Sequence, residues 1–124
     1  MTSSAAVAAE WARCRAWLTP ALSDATEAVV LAELAAGRAQ LWPGARSAGV
    51  TQLLLAEEPF LHIWIAGGDM RELVAMVPGL AAWARAQGAR SLRVNGRKGW
   101  SRVLQGAGFE MDGDELRRGL SVDG

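Results

Sequence analysis

The chain has 124 residues, 13 basic and 13 acidic side chains, and a single cysteine. This length predicts one domain, over residues 1–124 with loose ends at 1–4 and 121–124, that folds without metals or disulfides. Zero net charge argues against a general attraction to nucleic acid or anionic membranes, and one cysteine excludes a disulfide framework. The sequence shows no signal peptide and no membrane-spanning apolar run, so we expect a soluble cytoplasmic protein.

Two helices are predicted in the first third of the chain. Residues 5–18 have helix-forming composition, with apolar side chains spaced three to four apart. Residues 25–36 form the second candidate. Ser23 and Asp24 offer an N-cap for it, and Glu27 stands three residues after Asp24, as in a capping box.

Three strands are predicted next, over residues 39–42, 47–56 and 60–66. Short turns join them, which favours an antiparallel meander. The third is a nearly continuous apolar run with β-branched and aromatic residues, which is typical of a central strand.

A strand-to-helix transition follows the third strand. Gly67 and Gly68 are expected to end the strand, and Asp69 is a good N-cap with Glu72 completing a capping box. The helical pattern then continues to residue 87. Pro78 interrupts it, and the missing N–H predicts a kink or a split into two helices.

The last third predicts a strand at 91–95, a short helix at 100–105, and strands at 108–111 and 115–120. A helical crossover joins strand 60–66 to strand 91–95, so these two should be parallel with a right-handed connection. The fold class is therefore α/β: a mixed, twisted sheet with helices on both faces.

This order of elements resembles the Gcn5-related N-acetyltransferase (GNAT) family. Residues 80–94 are similar to the family's third helix and fifth strand. Residues 103–110 resemble its terminal helix and the glycine–phenylalanine that opens the next strand. The resemblance implies the acyl-CoA N-acyltransferase fold and transfer of an acetyl group from acetyl-CoA to an amine.

In the family, backbone N–H groups of a glycine-rich loop before the third helix hold the coenzyme pyrophosphate. The family's basic position falls here at Gly68, and its two glycine positions fall at Arg71 and Leu73. The resemblance makes the following residues cofactor-binding candidates: Ala66, Gly67, Gly68 and Arg71. Because the glycine pattern is lost and Asp69 adds a negative charge, a plain strand-to-helix turn is the alternative.

The family's catalytic groups are also incomplete. A tyrosine in the terminal helix often protonates the leaving thiolate, but its position is Leu104 and the chain has no tyrosine. His62, the only histidine, lies in the predicted central strand. It is either a catalytic base or a hydrogen-bonded structural residue.

A basic cluster surrounds the loop after strand 91–95, and its members are Arg93, Arg97, Lys98 and Arg102. Arginine and lysine beside two loop glycines favour an anion or partner site. The alternative is a solvated loop whose charges offset the acidic residues near the C-terminus, namely Asp112, Asp114 and Glu115.

Two functions remain open at this point. The first hypothesis is a non-catalytic GNAT-like binding or structural protein without a cofactor. The second is a minimal N-acetyltransferase that uses acetyl-CoA. Residues 40–44 and 96–100 resemble segments of short GNAT-like proteins from bacteriophages and prophages. That resemblance implies an accessory or virion role, in the host cytoplasm or the virion. We expect a protein partner or self-association, and no nucleic acid, membrane or metal.

Overall fold

The structure is a computed structural model that describes residues 4–22, 25–95 and 100–120. The expected loose ends lie almost entirely outside these ranges. So do the capping candidates Ser23 and Asp24, and the cluster residues Arg97 and Lys98.

Four α-helices and six strands make up the described chain. The helices are α1 (Ser4–Leu18), α2 (Glu27–Ala35), α3 (Met70–Ala86) and α4 (Trp100–Gln105), with a 3₁₀ turn at Thr19–Ala21. The strands are β1 (Ala39–Pro43), β2 (Ser47–Leu54), β3 (Phe60–Gly68), β4 (Ser91–Asn95), β5 (Glu110–Asp112) and β6 (Glu115–Gly119).

The strands form one mixed sheet in the order β1-β2-β3-β4-β6-β5. β3 and β4 are parallel, as expected for strands joined by a helical crossover. β1 pairs antiparallel with β2, and β6 pairs antiparallel with both β4 and β5. The α/β class and the mixed sheet predicted from the sequence are therefore confirmed.

The start of α2 differs from the sequence prediction. Its N-cap is Thr26, whose hydroxyl accepts a hydrogen bond from the Val29 N–H at 3.2 Å. The predicted cap at Ser23 or Asp24 is therefore wrong. Several cap-forming residues follow one another here, and local sequence does not rank them.

Two further boundaries differ from the prediction. β3 runs through Gly67 and Gly68, which were expected to end it. Of the kink or split predicted at Pro78, the split does not occur, because α3 continues through Pro78 as one helix. A proline removes one N–H from the helical ladder. Burial of neighbouring side chains on α3, such as Val77 and Leu80, offsets that loss.

The chain divides into two compact units, and β3 and α3 each run through both. The first unit comprises Met1–Gln52 with Ile65–Leu73. Its buried side chains come from helices and strands alike: Trp11, Cys14, Leu18, Val30, Leu34, Ala39, Ala48, Val50, Ile65 and Leu73. Cys14, whose side chain is fully buried, is the one cysteine of the chain.

Glu27 connects α1 to α2 in this unit. Its carboxylate accepts a hydrogen bond from the Trp11 indole N–H at 2.7 Å and two from the Arg15 guanidinium, at 2.6 and 3.0 Å. Bonds from Arg15, and next from Trp11, lower the pKa of Glu27 to about 2. The carboxylate therefore stays ionised over the whole neutral range and holds the two helices together.

The second unit comprises Leu53–Trp64 with Val74–Gly124. Its core is formed by Leu61, Val77, Leu80, Ala81, Ala84, Ala89, Leu92, Leu104, Phe109 and Leu116. β5 and β6 form a hairpin with a two-residue connection. Gly113 has φ +67° at its first position, where a type II′ turn requires glycine. No described helix is long and apolar enough to cross a membrane.

Candidate functional site

The N-terminus of α3 is capped by Asp69, as the sequence predicts. The Asp69 carboxylate accepts a hydrogen bond from the Glu72 N–H at 3.1 Å. The Asp69 N–H in turn donates to the Arg46 carbonyl oxygen at 2.9 Å. Bonding from the Glu72 N–H is the largest cause that lowers the pKa of Asp69, and the Arg46 and Arg71 charges contribute.

Glu72 does not complete the predicted capping box. Its carboxylate turns to the start of β2, where it accepts hydrogen bonds from the Arg46 N–H at 2.9 Å and from the Ser47 hydroxyl. The Ser47 bond, followed by the Arg46 N–H bond, lowers the pKa of Glu72. Arg46 also forms an ion pair with Asp69 at 3.5 Å. The first turn of α3 is thus joined to the turn before β2 by charge-assisted bonds.

The two glycines before α3 face the protein's own backbone. A Cβ on Gly67 would lie 2.0 Å from the Trp17 carbonyl oxygen of α1. Gly68 has φ +104°, and a Cβ there would lie 2.5 Å from the Arg46 carbonyl oxygen and 2.6 Å from the Ser47 Cα. Only glycine allows these approaches. Both glycines are explained by packing within the chain.

These residues do not fit a coenzyme pyrophosphate. A helix N-terminus binds phosphate when its N–H groups are available and its surroundings are neutral or positive. Here the Asp69 and Glu72 N–H groups have partners within the protein, and two ionised carboxylates lie beside them. Of the other predicted cofactor residues, Ala66 is half-buried in β3 and Arg71 is exposed on α3.

The structure brings together two candidates that the sequence leaves separate. His62 on β3 and Arg93 on β4 are direct partners in the parallel pairing, and Arg117 on β6 stands opposite Arg93. The three therefore share one face of the sheet. Burial lowers the pKa of His62, while the charge of Glu115 acts in the opposite direction. A lowered pKa makes the neutral imidazole dominant at pH 7.

Arg93 is held by contacts from three side chains. Its guanidinium lies over the Phe60 ring, 4.1 Å from the centroid. Its Nε donates to the Ser91 hydroxyl at 3.2 Å and lies 3.7 Å from the Glu115 carboxylate. Glu115 is one of the acidic residues expected to offset the basic cluster. Arg102 is exposed on α4, while Arg97 and Lys98 lie outside the described residues.

Leu104 occupies the position at which the family resemblance places the proton-donating tyrosine. It lies on α4 with 3% of its surface exposed, and Phe109 is similarly buried. The backbone N–H of Phe109 donates to the Leu104 carbonyl oxygen at 3.0 Å, which closes the turn after α4. Leu104 is therefore a core residue, without a group that could transfer a proton.

The sequence interpretation missed two sets of residues. Arg46 and Ser47 bind the first turn of α3 from 25 or 26 residues away in the chain, and no local signal marks this pairing. Glu110 on β5 was also missed, and Asp112 was noted only as a charge that offsets the basic cluster. Their alternation about Met111 was the available signal, since alternating side chains share a face of a strand.

Comparison of the chain with protein-family models, with curated proteins and with solved structures gave no match. Within the described ranges, no group of three or more histidine, cysteine, aspartate or glutamate side chains is arranged to hold a metal ion.

Proposed function

We propose that this chain is a GNAT-like protein that has lost acetyl transfer and acts as a binding or structural module. Its element order supports the GNAT-like assignment, and so does the parallel pair β3–β4 joined by α3. The phage-type segments noted in the sequence favour an accessory role within a larger assembly.

The main support for this proposal is that the protein's own groups occupy the N-terminus of α3. Asp69 and Glu72 use their carboxylates and N–H groups within the protein, and backbone atoms fill the space next to Gly67 and Gly68. A pyrophosphate there would displace existing hydrogen bonds and meet two negative charges. Both effects weaken the binding of an anion.

The groups available for proton transfer support the same conclusion. Leu104 is apolar and buried, so it cannot protonate a leaving thiolate. His62 is the single imidazole of the chain, and its lowered pKa leaves it able to accept a proton at neutral pH. A lone base without a bound acyl donor does not complete the reaction.

Acetyl-CoA binding is the experiment that tests the proposal. A ligand at 100 times its Kd stabilises its protein by about 2.7 kcal/mol, which a thermal shift assay detects. We expect no shift for the wild-type protein in saturating acetyl-CoA, and no heat of binding by calorimetry. A clear shift, together with release of free CoA in the presence of an amine, would instead establish the minimal acetyltransferase.

A variant with both carboxylates neutralised distinguishes the two barriers to pyrophosphate binding, which are negative charge and lack of space. Asp69→Asn with Glu72→Gln keeps an acceptor oxygen at each position but removes both negative charges. Glu57→Gln, in the exposed turn after β2, is the control for removing a carboxylate elsewhere. We expect the double variant to remain unable to bind, because the backbone approach at Gly67 and Gly68 persists. Binding by the double variant alone would show that charge is the sole barrier.

A further inference from the structure

The described carboxylates differ in whether they have a partner. Most are held in ion pairs or charge-assisted hydrogen bonds: Glu10, Glu27, Glu33, Glu58, Asp69, Glu72 and Glu115. No ion pair involves Glu57, Glu110, Asp112 or Asp114 within the part of the chain that the structure describes. Three of these four lie between residues 110 and 114, on β5 and its turn. Among the described residues, carboxylates without an ion pair are thus concentrated in one hairpin.

Arg117, the residue opposite Glu110 on β6, pairs with a different carboxylate. The two residues are directly opposite in the β5–β6 ladder, where opposite charges stabilise one another. The Arg117 guanidinium instead lies 2.8 Å from the carboxylate of Glu58, in the turn before β3. Arg117, which stands opposite Glu110 in the ladder, is therefore paired elsewhere, and Glu110 has no ion pair among the described residues.

β5 is also the last strand of the sheet, so one of its two edges has no strand partner among the described residues. All three of its residues are exposed, and Met111 exposes 47% of its surface. A cleft of about 420 Å³ adjoins the strand, and its lining residues are Gly108, Glu110, Met111, Asp112, Arg117 and Gly119. A Cβ built on Gly119 meets no atom within 4 Å, so the cleft is open at this position.

We propose that the free edge of β5 binds an extended basic segment of a partner protein by strand addition. This inference rests on the proposed function, since it names the surface through which a binding module would act. Backbone groups on the outer edge of β5 would pair with the partner strand. Glu110 and Asp112, on one face, would each meet a lysine or arginine, and Met111, on the other face, would meet an apolar side chain.

The same charges select against a second copy of this chain. Two β5 edges side by side would bring four carboxylates together, and like charges across strands are destabilising. Short, charged edges protect sheets against self-pairing. With a cationic partner the electrostatic interaction across the two strands becomes attractive. The edge therefore disfavours a second β5 strand and favours a basic strand. The same negative charge disfavours the phosphate backbone of a nucleic acid at this edge.

The test uses a synthetic peptide in which lysine alternates with valine over seven residues, capped at both ends. Binding is followed by amide chemical shifts of the ¹⁵N-labelled full chain, titrated to millimolar peptide. We expect the largest shifts at residues 110–112 and weaker binding at high salt. A peptide with glutamate in place of lysine should not bind. No shifts on β5, or the largest shifts elsewhere, would overturn the proposal.

Matched protein variants test the role of charge. Glu110→Gln and Asp112→Asn should each weaken lysine-peptide binding by about two- to five-fold, the effect of an exposed ion pair. Glu57→Gln also removes an unpaired carboxylate, but away from β5, and should leave the affinity unchanged. Equal affinities of all three variants and the wild type would contradict the proposed contact.

A backbone test distinguishes strand addition from general charge attraction. N-methylation of the peptide's valines removes N–H donors and keeps every lysine, so binding should be lost. Equal binding of the methylated peptide would overturn strand addition.

The peptide experiment and the acetyl-CoA experiment can fail independently of each other. If neither acetyl-CoA nor the peptide binds, the edge inference fails and the loss of acetyl transfer stands. If acetyl-CoA binds, the proposed function fails whatever the peptide does.

Discussion

The first turn of α3 and the strand β5 both carry two carboxylates close together in sequence, yet their surroundings differ. The Asp69 carboxylate accepts a hydrogen bond from the Glu72 N–H and forms an ion pair with Arg46. The Glu72 carboxylate accepts hydrogen bonds from the Arg46 N–H and the Ser47 hydroxyl, and the pKa values of both carboxyls are lowered. Glu110 and Asp112 are exposed and have no ion pair in the described chain. Residue type therefore does not decide whether a carboxylate supports the fold or remains available to a partner. The donors within reach decide it.

The largest expected difference between the two regions is steric. Gly67→Ala should destabilise the protein by about 3 kcal/mol, because its Cβ would lie 2.0 Å from the Trp17 carbonyl oxygen. Gly119→Ala, at the open cleft, should stay within about 0.5 kcal/mol of the wild type. Urea unfolding of both variants measures this. Equal stability of the two variants would show that the backbone around Gly67 shifts to accommodate the added Cβ. The space before α3 would then be accessible to a ligand.

Glu27 should show the clearest pH dependence of the paired carboxylates. Its pKa is about 2 in the folded protein and 4.5 ordinarily, so the unfolded chain binds the proton more readily. Its contribution to stability is present above pH 4.5 and is lost as the pH falls toward 2. Glu27→Gln should therefore lower the melting temperature at pH 7, with a gap to the wild type that narrows on acidification. A difference in melting temperature that stays constant between pH 7 and pH 3 would contradict this role of the ionised Glu27.

Glu72 should make a smaller contribution to stability that is likewise lost on acidification, because bonds from Ser47 and Arg46 lower its pKa. Glu72→Gln should lower stability at pH 7 and approach the wild type as the pH falls below the ordinary value of 4.5. Thermal unfolding at several pH values measures the gap. Glu57→Gln, in the exposed turn after β2, serves as the control for removing a carboxylate elsewhere.

The smallest effect should be that of Glu110→Gln combined with Asp112→Asn. Neither carboxylate has an ion pair in the described residues, so the free energy of unfolding should not change. Urea unfolding at low and high salt measures it. A marked loss of stability would show that the β5 charges support the fold, and would remove the contrast with Asp69 and Glu72.

Local patterns predicted the element order, but contacts from distant residues decided where some elements end. The pattern at residues 60–66 predicted a strand that stops at two glycines. In the structure, β3 continues through Gly67, and the absence of a side chain there admits the Trp17 carbonyl oxygen of α1. A glycine that ends a strand and one that admits a neighbouring backbone look identical in sequence. Asp69 was predictable as a cap, since the N–H that it binds lies three residues away.

The candidate site was predictable in part for the same reason. The departure from the family's glycine pattern and the absence of a tyrosine were visible in the sequence, and they led to the prediction that acetyl-CoA does not bind. The bonds from Glu72 to Arg46 and Ser47 were not visible, because they join parts of the chain that only folding brings together. Likewise, the sequence placed His62 and Arg93 on two strands, and the parallel register made them neighbours.

The full burial of Cys14 makes this thiol a native reporter of motion in the first unit. Its side chain has no solvent exposure, and burial is the largest cause that raises its pKa. Alkylating reagents attack the thiolate, so labelling requires the surrounding core to open. Because the chain has a single cysteine, every labelled molecule has passed through such an opening. The rate of labelling, followed by mass spectrometry, therefore measures how often the core around α1 opens under native conditions.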